Sequence, residues 1–299
     1  MKWEGGRESS NVEDRRGESS GGGGRGMGGG MAKSGIGVIL IAIVAMFLGV
    51  DPSMVLGLLG GGNAPPQVSQ QSQQSSQAPA QRPPQGDQMA KFVSVVLADT
   101  EDTWTGLFKQ NGKQYQVPKL VLFRGAVQSA CGRGESAMGP FYCPGDQKVY
   151  IDLAFFDDLQ RRFQAPGEFA RAYVIAHEVG HHMQNLLGIA EKVDAQRRRV
   201  SEAEYNKLQV RMELQADCLA GIWAHHANRM RQILERGDVE SAMAAATAIG
   251  DDRLQQQSRG YVTPESFTHG TSAQRVRWFR RGLESGQIAQ CNTFQARDL

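Results

Sequence analysis

Residues 35–50 read Gly-Ile-Gly-Val-Ile-Leu-Ile-Ala-Ile-Val-Ala-Met-Phe-Leu-Gly-Val, an uncharged run with sequence on either side that cannot fold around it. Before it, residues 1–33 are polar, charged and Gly-rich, with near-pure glycine runs at 21–24 and 28–30. Such a composition buries too little apolar surface to offset chain entropy and predicts disorder over 1–33. After it, residues 60–88 are rich in Gly, Pro, Gln and Ser and predict a linker with an end-to-end distance of about 30 Å. Globular structure is thereby confined to 89–299, a stretch long enough to bury one proper core.

The apolar run is about as long as the shortest membrane-spanning helices, and Met54–Leu59 extends it past Asp51. All six Lys and Arg residues upstream of Arg82 precede it, with Lys33 at its edge. The positive-inside rule then predicts a single-pass anchor over 34–59 in the inner (cytoplasmic) membrane, held by its lipid. The N-terminus would be cytoplasmic and the domain periplasmic. A cleavable signal peptide is the rival, opposed by the long charged region before the run and the lack of an A-x-A-like site. A buried core helix is another, but the flanking sequence gives it nothing to pack on.

Charge excludes some functions. The chain has 33 basic and 31 acidic residues for a formal net charge of +2, with no basic stripe and no aromatic-basic platform, so nucleic acid is not an expected partner. The four cysteines, Cys131, Cys143, Cys218 and Cys291, form no C-x-x-C pair. They fit either four buried thiols or, outside the cytoplasm, two disulfides. In the second case Cys131 with Cys143 would close a short loop, and Cys218 with Cys291 would fasten the C-terminal tail.

Within 89–299 helical patterning dominates. Pro166-Gly167-Glu168 opens a helix with apolar positions at Phe169, Ala172, Tyr173, Ala176 and Val179, closed by Gly188. A second helix is expected from Ser201 to Asn228, and a short one from Asp238. The capping box Thr271-Ser272-Ala273-Gln274 starts a terminal helix. Short β-rich runs at Lys119–Phe123 and Val149–Leu153 add a small sheet. The fold class expected is α+β, mainly helical.

The first of those helices carries His177-Glu178-Val179-Gly180-His181. Four positions apart, the histidines lie on one face, one turn above another, where two imidazoles can converge on a zinc ion with Glu178 close enough to act as general base. The alternative, two surface histidines, is opposed by Tyr173-Val174-Ile175-Ala176 just before them, which makes the helix apolar nearly all round. His182, five residues from His177, projects about 140° away. A metzincin would need Gly at 184 and His at 187, where Gln184 and Leu187 stand. The third ligand should then be a carboxylate on a later helix. Glu213-Leu214-Gln215-Ala216-Asp217 offers Glu213 as ligand and Asp217, one turn on, to accept a ring N–H. An ordinary solvated acidic pair is the alternative, though like charges at that spacing repel.

H-E-x-x-H followed by E-x-x-x-D resembles the gluzincin branch of the zincins. Val121–Gly125, Gly139–Pro144, Val149–Asp152, His177–Gln184, Glu213–His226 and His269–Phe279 make the wider chain similar to the bacterial neutral zinc metallopeptidase family. The resemblance implies a zincin-like metallopeptidase with His177, His181 and Glu213 as zinc ligands, Glu178 as catalytic carboxylate and Asp217 behind them. It supplies no particular substrate beyond a peptide or protein. Oxyanion stabilisation would need a further donor. His269 is the candidate, with Tyr261 and Arg275 behind it; a loop histidine and a surface helix charge are the plainer readings of His269 and Arg275. A non-catalytic zinc-binding interaction module of the cell envelope is the alternative function, and an intact Glu178 argues against it.

Overall fold

The computed structural model describes residues 1–18 and 81–299 apart from Gln85. Its sheet is built from β1 (Val12–Asp14), β2 (Lys119–Phe123), β5 (Phe141–Cys143) and β6 (Lys148–Asp152), in the order β1-β2-β6-β5. β1 and β6 flank β2 in parallel, and β5 pairs antiparallel with β6 at the far edge. Between β2 and β5 a separate antiparallel hairpin, β3 (Ala126–Ser129) and β4 (Gly132–Glu135), folds over the sheet. The period-2 alternation sends Leu120, Leu122, Val149 and Ile151 into the main core. It turns Val121, Phe123 and Tyr150 to the opposite face, where they pack with Val127 of the hairpin. Both faces are covered, which is why these strands read as near-continuous apolar runs.

Eight helices lie among the described residues: α1 (Gln88–Gln110), α2 (Leu153–Arg161), α3 (Glu168–Leu186), α4 (Ile189–Asp194), α5 (Glu202–Arg231), α6 (Asp238–Ala248), α7 (Asp251–Arg259) and α8 (Ser272–Ser285). α3, α5, α6 and α8 match the expected helices, and the capping box at Thr271 forms as expected. α1, α2, α4 and α7 were not anticipated. α1 starts at Asp87, whose carboxylate accepts from the Ala90 N–H at 3.0 Å. α5 and α8 cross at Gly221 and Gly282. A Cβ on Gly282 would sit 1.9 Å from the Cys218 carbonyl oxygen, so only glycine lets these backbones touch. Disulfides join Cys131 to Cys143 and Cys218 to Cys291, with Cα atoms 5.7 and 5.5 Å apart.

Two expectations need correction. Residues 1–18, part of the segment predicted disordered from composition, fold onto the domain. Trp3 is buried, its ring edge-on to Phe92 and its Nε1 donating to Glu168 at 2.8 Å. Val12–Asp14 register with Leu120–Leu122, and Glu13 receives Lys148 at 2.9 Å and Lys119 at 3.1 Å. Composition missed this because the charges that look solvating have partners on the domain. The linker, secondly, ends in structure: the Asp14 N–H donates to the Gln81 carbonyl at 2.7 Å, and Arg16 reaches Asp87 at 2.6 Å. The expected membrane anchor over 34–59 lies outside the described residues. Among those described, no helix is long and apolar enough to cross a membrane.

Candidate metal centre

α3 is buried over most of its length, and His177 and His181 face α5 from consecutive turns. Between them stands Gly180. A Cβ there would lie 3.0 Å from the Ala216 carbonyl oxygen and 3.1 Å from its Cα, so a bare glycine lets α5 press against α3 at this level. That close approach delivers Glu213. Its Oε2 is 3.1 Å from His177 Nε2, its Oε1 is 3.4 Å from His181 Nε2, and the two ring nitrogens are 3.2 Å apart. Two ligands of a tetrahedral zinc, each bonded at about 2.0–2.1 Å, are separated by about 3.3 Å. The three donor atoms are thus spaced as the edges of such a site. Lone-pair atoms this close require a cation among them, protons or a metal ion. The donor set fits zinc.

Each imidazole is held by its other nitrogen. His177 Nδ1 lies 2.9 Å from Asp217 Oδ1, and His181 Nδ1 lies 2.9 Å from Gln184 Oε1. With Nδ1–H donating in both cases, both Nε2 lone pairs point to the common centre. Gln184 is fixed in turn by donating to the Met212 carbonyl at 2.7 Å and to Gln215 at 3.1 Å. Asp217 is wholly buried. It accepts from Tyr173 OH at 2.5 Å and from Arg275 Nε and Nη2 at 2.8 and 2.9 Å. Burial pushes its carboxyl up, but Arg275 and His177 outweigh that and bring its pKa down to about 2. Burial likewise pulls His177 down, yet Asp217 and Glu213 lift it to about 10. Glu213 is held well below the usual carboxylate range, burial being more than offset by His181 and His177.

His177, His181 and Glu213 line a cleft of about 830 Å³ together with Glu178, His269, Arg275 and an apolar wall that includes Phe155, Phe163 and Tyr205. Glu178 is buried, which raises its pKa, while His181 and His177 pull it back. His269 sits half-exposed at the cleft, its Nδ1 3.3 Å from Asp251 Oδ1. Burial of the ring opposes its charge, but Asp251 and Glu213 leave the imidazole more basic than usual.

The structure thus gathers His177, Glu178, His181, Glu213, Asp217 and His269 at one place. His182 is buried on the other side, against Tyr142 and the Gln116 carbonyl. Two expectations fail. Arg275, read as a surface charge, is buried and bonded in two places to Asp217. Tyr261 is exposed and not part of the cleft. Tyr173 and Gln184 were missed as supports, although both lie one turn from a ligand on the same helix.

A family model described as "Putative neutral zinc metallopeptidase" matches residues 1–294, and the chain belongs to that family. It is 54% identical over 297 residues to the uncharacterized protein YpfJ of Escherichia coli (strain K12), covering 98% of this chain and 99% of that one. It is 42% identical over 219 residues to the uncharacterized protein Rv2575 of Mycobacterium tuberculosis, covering 70% and 73%. No solved structure matches the chain.

Proposed function

We propose that this protein is a zinc-dependent peptidase of the gluzincin type, with His177, His181 and Glu213 as the metal ligands. The observation that carries the reading is the near-tetrahedral spacing of their three donor atoms in the cleft that Glu178 lines. Bound there, zinc would acidify a water and polarise the scissile carbonyl. Glu178 takes the proton of the attacking water, a task suited to a carboxylate made more basic by burial, and passes it to the leaving amine. His269, made more basic by Asp251, is placed to donate to the negative charge that develops on the carbonyl oxygen. Asp217 and Gln184 hold the two imidazoles in the ligating tautomer. The two disulfides support an oxidising compartment outside the cytoplasm, with the apolar run at 35–50 holding the domain near the membrane lipid.

Glu178→Gln tests the chemistry. Peptide hydrolysis should fall by about 10²–10⁴-fold while elemental analysis still finds one zinc per chain. Undiminished cleavage by that variant rejects the mechanism, and wild-type protein that binds no zinc rejects the ligand set.

A further inference from the structure

We infer that residues 1–18 and the metal centre occupy the same side of the membrane. This concerns where the chain lies and is independent of the chemistry proposed above.

The first support is the way residues 1–18 are built in. β1 extends the sheet beyond β2 in parallel register, with the Leu120 N–H donating to the Asn11 carbonyl at 2.9 Å and the Arg15 N–H to Leu122 at 2.8 Å. Val12 and Trp3 belong to the main core. Glu13 is buried between Lys119 and Lys148, and Ser9 and Asn11 both donate to Glu101 at 2.7 Å. With residues 1–18 across a membrane, β2 would be left with a bare edge and Glu101 without these partners.

Secondly, the chain leaves this site and returns to it. Asp14 pairs with Gln81, and Arg16 bridges Asp14 and Asp87, so the two ends of the intervening stretch meet on the domain. Both ends being on one side, that stretch must cross a membrane an even number of times or not at all. A helical crossing needs about 20 apolar residues. The apolar sequence from 35 to 59 is long enough for one crossing and too short for two. The positive-inside reading, which places the N-terminus opposite the domain, is incompatible with a docked β1.

Finally, the family match begins at residue 1, so the docked segment is part of what the family model describes.

The test uses the full chain in bacterial cells. All four native cysteines are in disulfides, so an introduced cysteine is the one reactive thiol. Glu8→Cys in the N-terminal segment and Glu284→Cys near the end of α8 both fall at exposed positions. Each variant is treated with a membrane-impermeant maleimide in intact spheroplasts and again after lysis. The two sites should behave alike, both labelled before lysis or both only after it. One site labelled in intact spheroplasts and the other only after lysis would overturn the inference. A second pair at exposed positions, Ser10→Cys and Gln287→Cys, repeats the comparison should a variant fail to accumulate.

Discussion

The metal centre and the docked N-terminal segment both fasten distant parts of the chain with charge, yet by different physics. At the metal centre Asp217 and Arg275 are 0% and 2% exposed at their side chains, 58 residues apart and doubly bonded. At the N-terminal segment Glu13 is 7% exposed, but its partners Lys148 and Lys119 are 19% and 57% exposed. A buried pair is costly to break because the survivor has no water to turn to. A pair that reaches solvent is replaced by hydration and contributes about 1 kcal/mol or less. The first arrangement is all-or-none and the second is graded.

The largest effect should come from Arg275→Met, which strands Asp217 in the core. A loss of about 3–5 kcal/mol is expected in urea denaturation of the metal-free protein. A loss below about 1 kcal/mol would put the buried pair on a par with a surface one and erase the contrast. Next is Gly282→Ala, where the methyl lands on the Cys218 carbonyl and the α5–α8 crossing must open. About 3 kcal/mol, the upper end for overpacking, should be lost by the same measurement. Because Cys218, whose carbonyl the methyl meets, directly follows Asp217 on α5, zinc affinity should fall with it. Glu13→Gln should cost only about 1 kcal/mol. It should speed amide exchange in Val12–Asp14 while zinc content and peptide cleavage stay at wild-type levels.

Acid gives the gentlest test. Burial raises the Glu13 carboxyl, but Lys148 and Lys119 bring it below its ordinary value of 4.5. Arg16 lowers Asp14 from 3.8 against a smaller opposing effect of burial. Burial raises Asp87, which the Ala90 N–H and Arg16 more than offset. Folded pKa values below the unfolded ones mean stabilisation that is fully present above the ordinary carboxylate range and lost as pH falls through the folded values. Protection of the β1 amides, measured against their intrinsic exchange rates, should therefore fall as the pH drops below the ordinary carboxylate values, ahead of global unfolding. Release of β1 on raising the pH instead would contradict the assignment of these pairs.

The contrast extends to what could be read from sequence. His177, His181, Glu213 and Asp217 were legible because each pair obeys the helical period and a metal demands particular side chains. Arg275 was not. One arginine early in a charged helix looks solvated until the fold shows that position turned toward Asp217. Gln184 served only to rule out another ligand spacing, though the same residue orients His181. The docked segment was illegible for a broader reason. Composition predicts disorder by assuming that charges are satisfied by water, whereas Arg7, Glu13 and Arg16 find partners 71 to 135 residues away. α1 had no periodic stripe to find, since Phe92, Val93, Val95, Val96 and Leu97 are buried on almost every side.

β1 also sets an order of events during synthesis. Its pairing partner, β2, is translated more than a hundred residues later, an interval of roughly 5–20 s at ordinary elongation rates. Until then Val12 has no strand to pair with, and the apolar run at 35–50 is made well before that partner. All three metal ligands, by contrast, are made within a single stretch from His177 to Glu213. The segment synthesised first is thus incorporated late, as a strand without its partner until β2 is made.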